Sequence, residues 1–344
     1  MTTTEGTRQS LVRGSGPVKK NVELSRRNRP LWMLIPGGVL MFVIIIVPLL
    51  LGIYIAMLNL DQYTLRKWIS APFVGLGNFV EALTSTPLLH AIWISVSYSV
   101  LAMIITVPLG VAAALATQNK FPGRALVRSI ILIPYVLPAF VVATVWRTMF
   151  QPDGIVDKVL AVVGIHPGLW LNGPNSYWTL ILVQIWATWP FIYIMTLTGL
   201  QSVDHEVHEA ASLDGALWWR KLRYVVFPYL RGPLSLAILV GMLHNINNFT
   251  LPFVLFGIPA PSDVEVLPAL TYTMSFQSFR FGLSAAMALM SLILILIPLL
   301  AYLRVVKLDD GGDQPGKPRK ARNRRVRSAV AGQNVVGQNQ EASV

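Results

Sequence analysis

The segment at residues 204–230 holds the most distinctive arrangement of small and charged side chains in the sequence. Glu209, Ala210, Ala211, Asp214, Gly215 and Ala216 stand close together there. On a helix, Ala210, Ala211 and Asp214 share one face, and the small alanines allow another surface to approach closely. Gly215 suits the end of such a helix, where a positive φ is common. The segment is expected to present a compact knob to a partner; an ordinary interfacial amphipathic helix is the alternative.

A second, shorter amphipathic stretch follows the knob. It places Trp218, Leu222, Val225 and Val226 on one side and Arg220, Lys221 and Arg223 toward the other. Pro228 and Pro233 are expected to end this stretch before the next long apolar helix, because proline lacks the N–H that continues a helix.

Polar and aromatic side chains also occur inside long apolar runs. They are Tyr135, Gln184, Trp186, Trp189, Tyr193, His244, Asn245, Asn247 and Asn248. Polar groups in lipid cost free energy and usually face the protein interior. An amide and aromatic mixture of this kind suits a sugar, so Tyr135, Gln184, Trp189, Tyr193, Asn245, Asn247 and Asn248 are candidates for a substrate pathway. The alternatives are hydrogen bonds between helices, aromatic belts at the membrane surface and, for His244, simple packing.

Several kinds of chemistry find no support in the sequence. It contains no G-x-x-x-x-G-K-[ST] loop for nucleotide phosphates, no H-E-x-x-H pair and no cysteine. No catalytic residue and no metal ligand is therefore predicted. The net charge of +12 does not indicate nucleic acid, because the basic residues lie in the tails and between apolar runs.

The elements that must position these residues are membrane helices. Only 13% of the 344 residues are charged, against about 25% in soluble domains. Residues 31–60, 82–119 and 159–203 contain no Asp, Glu, Lys or Arg, and about 20 apolar residues cross a bilayer. The pattern predicts an all-α integral membrane protein with six transmembrane helices at about residues 31–58, 91–117, 129–150, 177–200, 234–257 and 281–303.

The distribution of basic residues predicts the orientation of these helices. Of the 28 Lys and Arg residues, five fall on one side of a six-span arrangement, and the other 23 fall on the side that holds both termini. The five are Arg66, Lys67, Arg147, Lys158 and Arg280. Because basic loops stay in the cytoplasm, both termini and residues 201–233 are predicted to be cytoplasmic.

Residues 204–230 resemble the EAA motif of ABC importer permeases. Glu209, Ala210, Ala211, Asp214, Gly215, Ala216 and Pro228 match that motif, whereas Leu222 and Val225 stand where Phe and Ile are usual. Four further stretches resemble the carbohydrate branch of the family, which is MalF- and UgpA-like. They are Phe73–Phe79, Pro122–Tyr135, Asn248–Gly257 and Phe281–Ala286. The resemblance covers about residues 31–305.

This resemblance implies a type I ABC importer permease fold in a bacterial cell membrane. It divides the chain into a basic N-terminus (1–30), a permease domain (31–305, with its core at about 88–304) and a basic tail (306–344). The EAA segment would be a coupling helix, with Glu209 and Asp214 hydrogen-bonded to an ATPase surface. The implied partners are two ATP-binding subunits that hold ATP and Mg, a second permease and an extracytoplasmic solute-binding protein. The chain itself would bind no cofactor; the tail would contact anionic lipid or act as a solvated orientation signal.

Other functions remain open at this point. An ABC permease for a polyamine, phosphate or peptide is one alternative, although the six predicted helices hold no Asp or Glu for a cationic cargo. A secondary carrier is a second alternative, but such carriers usually keep buried carboxylates. A membrane enzyme would need an acidic cluster, and the predicted outer loops hold only scattered acidic residues.

Overall fold

The computed structural model describes residues 35–165, 168–202, 220 and 222–310 of the chain. In these ranges all regular secondary structure is helical. Only an isolated bridge between Leu58 and Phe73 departs from this. The helices are α1 (Ile35–Ala56), α2 (Gly77–Ser85), α3 (Leu88–Thr117), α4 (Arg124–Val136), α5 (Ala139–Met149), α6 (Ile155–Val162), α7 (Ser176–Gln201), α8 (Phe227–Ile246), α9 (Thr250–Phe256), α10 (Leu267–Tyr272) and α11 (Phe281–Asp310). Short π-helical turns lie within α1 at Phe42–Ile46, before α8 at Leu222–Val226 and after α10 at Thr273–Gln277, and 3-10 turns cover Leu65–Ser70 and Ser262–Val264.

Four to six candidate membrane spans account for most of the described helices. The four unbroken ones are α1, α3, α7 and the part of α11 up to Arg304; the pairs α4–α5 and α8–α9 become two more if each bent pair is one span. Almost all of α1 is exposed apolar surface, as expected of a helix that faces lipid. The predicted all-helical membrane fold is confirmed, while the orientation stays a prediction. We call the end with α2, α6 and α10 the predicted outer end.

Two predicted spans are broken rather than continuous. The helices α4 and α5 meet at 90° and the helices α8 and α9 at 43°. At the first break Leu137 is extended, with φ −70° and ψ 137°, because a residue that precedes proline avoids the helical region and Pro138 lacks an N–H. At the second break α8 ends at Ile246, and the next residue, Asn247, leaves the helical conformation with φ −95° and ψ 6°.

Three boundaries differ from those expected. Pro228 and Pro233 do not end a helix before the fifth span, because α8 begins at Phe227 and runs through both prolines. Proline in the first turn loses no hydrogen bond, and Pro233 is accommodated within the helix. The expected loop at 151–176 contains α6, and α11 continues to Asp310 instead of ending near residue 303.

The centre of the bundle is built on close approach between α3, α7 and α8. A Cβ atom on Gly110 of α3 would lie 2.8 Å from Ile192 of α7, and one on Gly199 of α7 would lie 2.9 Å from Leu230 of α8. Small residues at helix crossings let backbones pack closely in membranes, where apolar side chains gain little by leaving lipid. These contacts hold α7 between its two neighbours.

At the predicted outer end, a polar clasp joins the chain after α1 to the start of α11. Arg280 donates two hydrogen bonds to the Glu81 carboxylate, at 2.5 and 2.8 Å. The Asn78 amide donates to two carbonyls just past the α1 end, those of Ala56 and Leu58, each at 2.8 Å. The Gly282 N–H donates to the Leu60 carbonyl at 2.9 Å. The clasp thus fixes one end of a helix that otherwise has few buried residues.

The clasp predicts a large effect of a small substitution at its centre. A Cβ atom on Gly282 would collide with the Leu58 carbonyl, so Gly282→Ala should lower the free energy of unfolding by about 1–3 kcal/mol. Gly52→Ala in α1 is the matched control, because no atom lies within 4 Å of its added methyl group. Thermal unfolding in detergent should show a lower Tm for Gly282→Ala alone; equal Tm values for both variants would contradict the clasp.

Candidate functional site

A cavity of about 350 Å³ lies where the two helix breaks face α7, and we call it the central cavity. Its wall includes Pro134, Tyr135, Leu137, Ala139 and Val142 from α4–α5, Gln184, Ala187, Thr188 and Phe191 from α7, and Val240, Gly241, His244, Asn248 and Leu251 from α8–α9. Irregular backbone at membrane depth is tolerated only where it is buried in protein or lines a polar space. The two helix breaks are therefore expected where they are, beside the central cavity that their residues line.

Three amide side chains form a hydrogen-bonded network behind and in this wall. Gln184 is fully buried, donates from Nε2 to Asn245 Oδ1 at 2.6 Å and accepts at Oε1 from Asn248 Nδ2 at 3.0 Å. Asn248 Oδ1 in turn accepts the Leu251 N–H at 3.2 Å, in the first turn of α9. The network thus connects α7 to both sides of the break between α8 and α9.

Tyr98 of α3 extends the network to a third helix. Its hydroxyl group donates to the backbone carbonyl of Asn245, and both residues are fully buried. Asn245 Nδ2 is buried without a hydrogen-bond partner in the part of the chain that the structure describes. The buried side of the network therefore keeps one unused donor, while Gln184 and Asn248 reach the cavity wall.

The chemistry of the cavity wall is polar but free of formal charge. None of the described lining residues is Asp, Glu, Lys or Arg, and His244 is the one titratable imidazole in the set. Tyr135 stacks on Phe191 with ring centroids 5.9 Å apart and an interplanar angle of 27°, which gives the wall an aromatic side. Amides and the Thr188 hydroxyl can exchange hydrogen bonds with a neutral polar molecule.

The structure brings some of the predicted pathway residues together and separates others. Tyr135, Gln184 and Asn248 line the central cavity, and Asn245 lies directly behind Gln184. Asn247 is exposed at the end of α8 and is absent from the described lining.

The two remaining candidates, Trp189 and Tyr193, pack in a separate cluster with Leu200 and Leu230. Tyr193 is buried, and its hydroxyl group lies 3.0 Å from Thr117 Oγ1 at the far end of α3.

Sequence reasoning missed Phe191, Thr188 and Tyr98. The prolines Pro134 and Pro138 could have indicated Phe191 and Thr188. They predict a break in the third span, and side chains of a neighbouring helix that face such a break can line a cavity. Tyr98 carried no such signal, since a tyrosine in an apolar helix is indistinguishable from an interface residue by sequence alone.

The predicted coupling residues Glu209, Ala210, Ala211, Asp214, Gly215 and Ala216 lie outside the described residues. The flanking elements are described: α7 ends at Gln201 and the π-helical turn before α8 begins at Leu222. The C-terminal end of α3 also lies on this side of the bundle, where Thr117 O accepts hydrogen bonds from Arg124 Nε at 3.1 Å and Arg128 at 2.7 Å. The positive charges of these two arginines interact favourably with the negative C-terminal end of the α3 helix dipole.

Broken helices around an uncharged polar cavity define a class of protein, the multi-span helical membrane transport protein. Residues 106–307 match the family described as the inner membrane component of binding-protein-dependent transport systems. This match covers more than half of the chain, and the protein belongs to that family.

Individual relatives agree with this assignment. The chain is 26% identical over 275 residues to the trehalose/maltose transport system permease protein MalF of Thermococcus litoralis, with 79% of this chain and 92% of that protein covered. It is 26% identical over 295 residues to the sulfoquinovosyl glycerol transport system permease protein SmoG of Agrobacterium fabrum, covering 84% and 94%.

The fold has a counterpart in a crystal structure of a bacterial alginate ABC transporter in complex with an alginate pentasaccharide-bound periplasmic protein. A chain of that complex superposes with a TM-score of 0.69 at 19% identity, covering 81% of this chain and 94% of that one. The predicted ABC importer permease fold and the family resemblance are thereby confirmed.

The amide network predicts that two neighbouring asparagines differ in their effect on stability. Asn245→Ala removes the acceptor of buried Gln184 and should lower the free energy of unfolding by about 1 kcal/mol. Asn247→Ala, two residues further along, removes an exposed amide and should leave Tm unchanged. Thermal unfolding of both variants in detergent checks this; a loss of stability in Asn247→Ala as large as that in Asn245→Ala would argue against the network.

Proposed function

We propose that this chain is the permease subunit of an ATP-driven ABC importer that passes a neutral carbohydrate into the cytoplasm of a bacterial cell. The observation that carries the cargo class is the wall of the central cavity, where amides, a hydroxyl group and stacked aromatic rings meet without a formal charge. Hydroxyl groups of a sugar both donate and accept hydrogen bonds. A side-chain amide can pair with either, because its oxygen accepts and its NH2 group donates. Aromatic rings suit the apolar face of a sugar ring.

The named relatives support a carbohydrate as the cargo, and the trehalose/maltose system supports a neutral one. MalF belongs to a trehalose/maltose system and SmoG to a sulfoquinovosyl glycerol system. A polyamine would call for acidic residues at the cavity and a phosphate for basic ones, and the described lining contains neither. A secondary carrier would work without an ATPase, and membership of a binding-protein-dependent family disfavours it.

The proposal includes partners that this chain needs. The sequence holds no nucleotide-binding loop, so ATP and Mg would be held by two ATP-binding subunits. A second permease would complete the pathway, and an extracytoplasmic binding protein would deliver the sugar, as the periplasmic protein in the related alginate transporter complex suggests. The count of basic residues supports cytoplasmic termini and therefore an inner position for residues 204–230.

Coupling would pass through the EAA segment. Glu209 and Asp214 would make charge-assisted hydrogen bonds to an ATPase subunit, and in the sequence the segment lies between α7 and α8. Both helices contribute to the central cavity. A displacement of the segment would therefore act on two walls of the cavity at once, and the cavity could open alternately to the two sides of the membrane.

Substitutions in the EAA segment should separate insertion from transport. Glu209→Lys reverses a charge at the proposed interface, and Gly215→Pro blocks the turn; either should abolish ATP-driven uptake while the protein still inserts in the membrane. Uptake of radiolabelled trehalose and maltose into vesicles that hold the whole transporter is the measurement. Wild-type uptake rates in both variants would refute the coupling role.

A substitution in the cavity should change cargo affinity instead. Asn248→Ala removes an amide from the cavity wall and should raise the KM for sugar uptake about three- to tenfold, the cost of about one neutral hydrogen bond. Asn247→Ala is the neighbouring control, because Asn247 is absent from the described lining. If KM for every sugar that the wild type transports is the same in Asn248→Ala, the central cavity is not the cargo site.

A further inference from the structure

A second and larger cavity lies at the predicted outer end, and we call it the outer cavity. Its volume is about 600 Å³, within the range of about 300–1,000 Å³ that small-molecule sites occupy. Its wall combines the end of α5, the helix α6, the chain just before α7 and the end of α9. Among the residues that the structure describes, none lines both this cavity and the central cavity.

The described lining residues of the outer cavity carry formal charges that balance. Arg147 and Lys158 supply two cations, and Asp153 and Asp157 supply two carboxylates. Gln151 and Asn172 add amides to the same wall. A wall of this kind offers both donors and acceptors without a net charge, which suits a ligand rich in hydroxyl groups better than an isolated anion or cation.

Two lining residues of the outer cavity, Asp157 and Trp170, are held in place by contacts within the protein. Asp157 Oδ1 accepts the Trp170 indole N–H at 2.7 Å, and Asp157 Oδ2 accepts the Asp153 N–H at 3.2 Å. The Trp170 ring in turn packs on buried Phe150, with centroids 5.2 Å apart. A carboxylate and an aromatic surface are thus fixed side by side, so little ordering remains to be done when a ligand binds.

The two cavities share one helical wall. The pair α5–α9 lines the central cavity through Val142 and Leu251, and it lines the outer cavity through Phe150 and Leu255. At 1.5 Å per residue these positions lie about 12 Å apart along α5 and about 6 Å apart along α9. Arg147 binds the two helices together at the outer end, where it donates to the Val254 carbonyl at 2.9 Å.

We propose that the outer cavity is a separate saccharide subsite, which a sugar occupies at the predicted outer face before it reaches the central cavity. This inference rests on the proposed carbohydrate transport and adds a step to it. Asp157 accepts hydrogen bonds from sugar hydroxyl groups, Arg147 and Lys158 donate to them, and Trp170, which packs on Phe150, supplies the aromatic surface. The wall of α5 and α9 separates this subsite from the central cavity.

The sequence offers a clean way to test the subsite, because it contains no cysteine. On α6, Ala161 lines the outer cavity, whereas neighbouring Val162 is 86% exposed and is not among the lining residues. Ala161→Cys and Val162→Cys are therefore a matched pair for labelling from outside with a membrane-impermeant maleimide. The assembled transporter is used without its soluble binding protein, so that no docked protein covers the face.

Trehalose, maltose and maltotriose at millimolar concentration are the probes. At least one of them should slow the labelling of Ala161→Cys several-fold and leave the labelling of Val162→Cys unchanged. Adding Asp157→Asn to Ala161→Cys keeps an acceptor for Trp170 but removes the charge, and it should raise the sugar concentration for half-protection about tenfold. Equal protection of both cysteines, or no protection of Ala161→Cys by any probe, would overturn the subsite.

Measuring sugar uptake by the wild-type transporter distinguishes a failure of the outer subsite from a failure of the proposed carbohydrate transport. Wild-type uptake of a probe together with an unprotected Ala161→Cys variant rejects the outer subsite and leaves carbohydrate transport intact. Absence of ATP-driven uptake of every sugar tested rejects the proposed function and the subsite with it.

Discussion

Backbone groups freed by a helix break inside a membrane have no water to satisfy them, and the architecture of this protein follows from that constraint. Each of the two breaks contributes a residue to the same cavity wall. Leu137 and Asn248 both lie against a common cavity next to α7, and Asn248 itself accepts the Leu251 N–H of the following helix. The amides of Gln184 and Asn245 then tie this region to α7 and α3. The two helix interruptions thus depend on the polar interior, because its amides supply hydrogen-bond partners that lipid lacks.

A framework of close helix crossings surrounds this polar centre. The glycines of α3 and α7 let backbones meet where any larger side chain would collide, and the clasp of Arg280 and Glu81 holds the start of α11 against the chain after α1. Membrane helices gain little from burying apolar surface, so such contacts carry much of the specificity of packing. Helix α7 is central to both arrangements: it contributes to the packing through Gly199 and to the cavity through Gln184.

The proposed transport cycle would use these parts in a defined order. The segment between α7 and α8 would receive the motion of an ATPase, and both of its flanking helices reach the central cavity. The wall of α5 and α9 would separate a charged but balanced outer subsite from the uncharged central one. A neutral sugar could form hydrogen bonds in both places, whereas an ion would meet opposite charges in the first and none in the second.

The sequence alone determined the class of the molecule and the identity of its polar residues. Long charge-free runs required membrane helices, and the resemblance of the segment around Ala210, Asp214 and Gly215 to the EAA motif indicated a permease of the ABC type. Hydropathy and residue spacing are local properties, averaged over one or two helical turns, so the sequence was sufficient for the runs themselves.

Only the tertiary structure decided which polar residues meet. Gln184 and Asn245 stand 61 positions apart, and their contact depends on how α7 packs against α8. Tyr193 lies on the opposite face of α7 from Gln184 and contacts Thr117 of α3 instead. Proline spacing hinted at the first break, but the 90° angle and the cavity beside it depend on contacts between distant helices, because a local pattern carries no information about the surface that a helix will face.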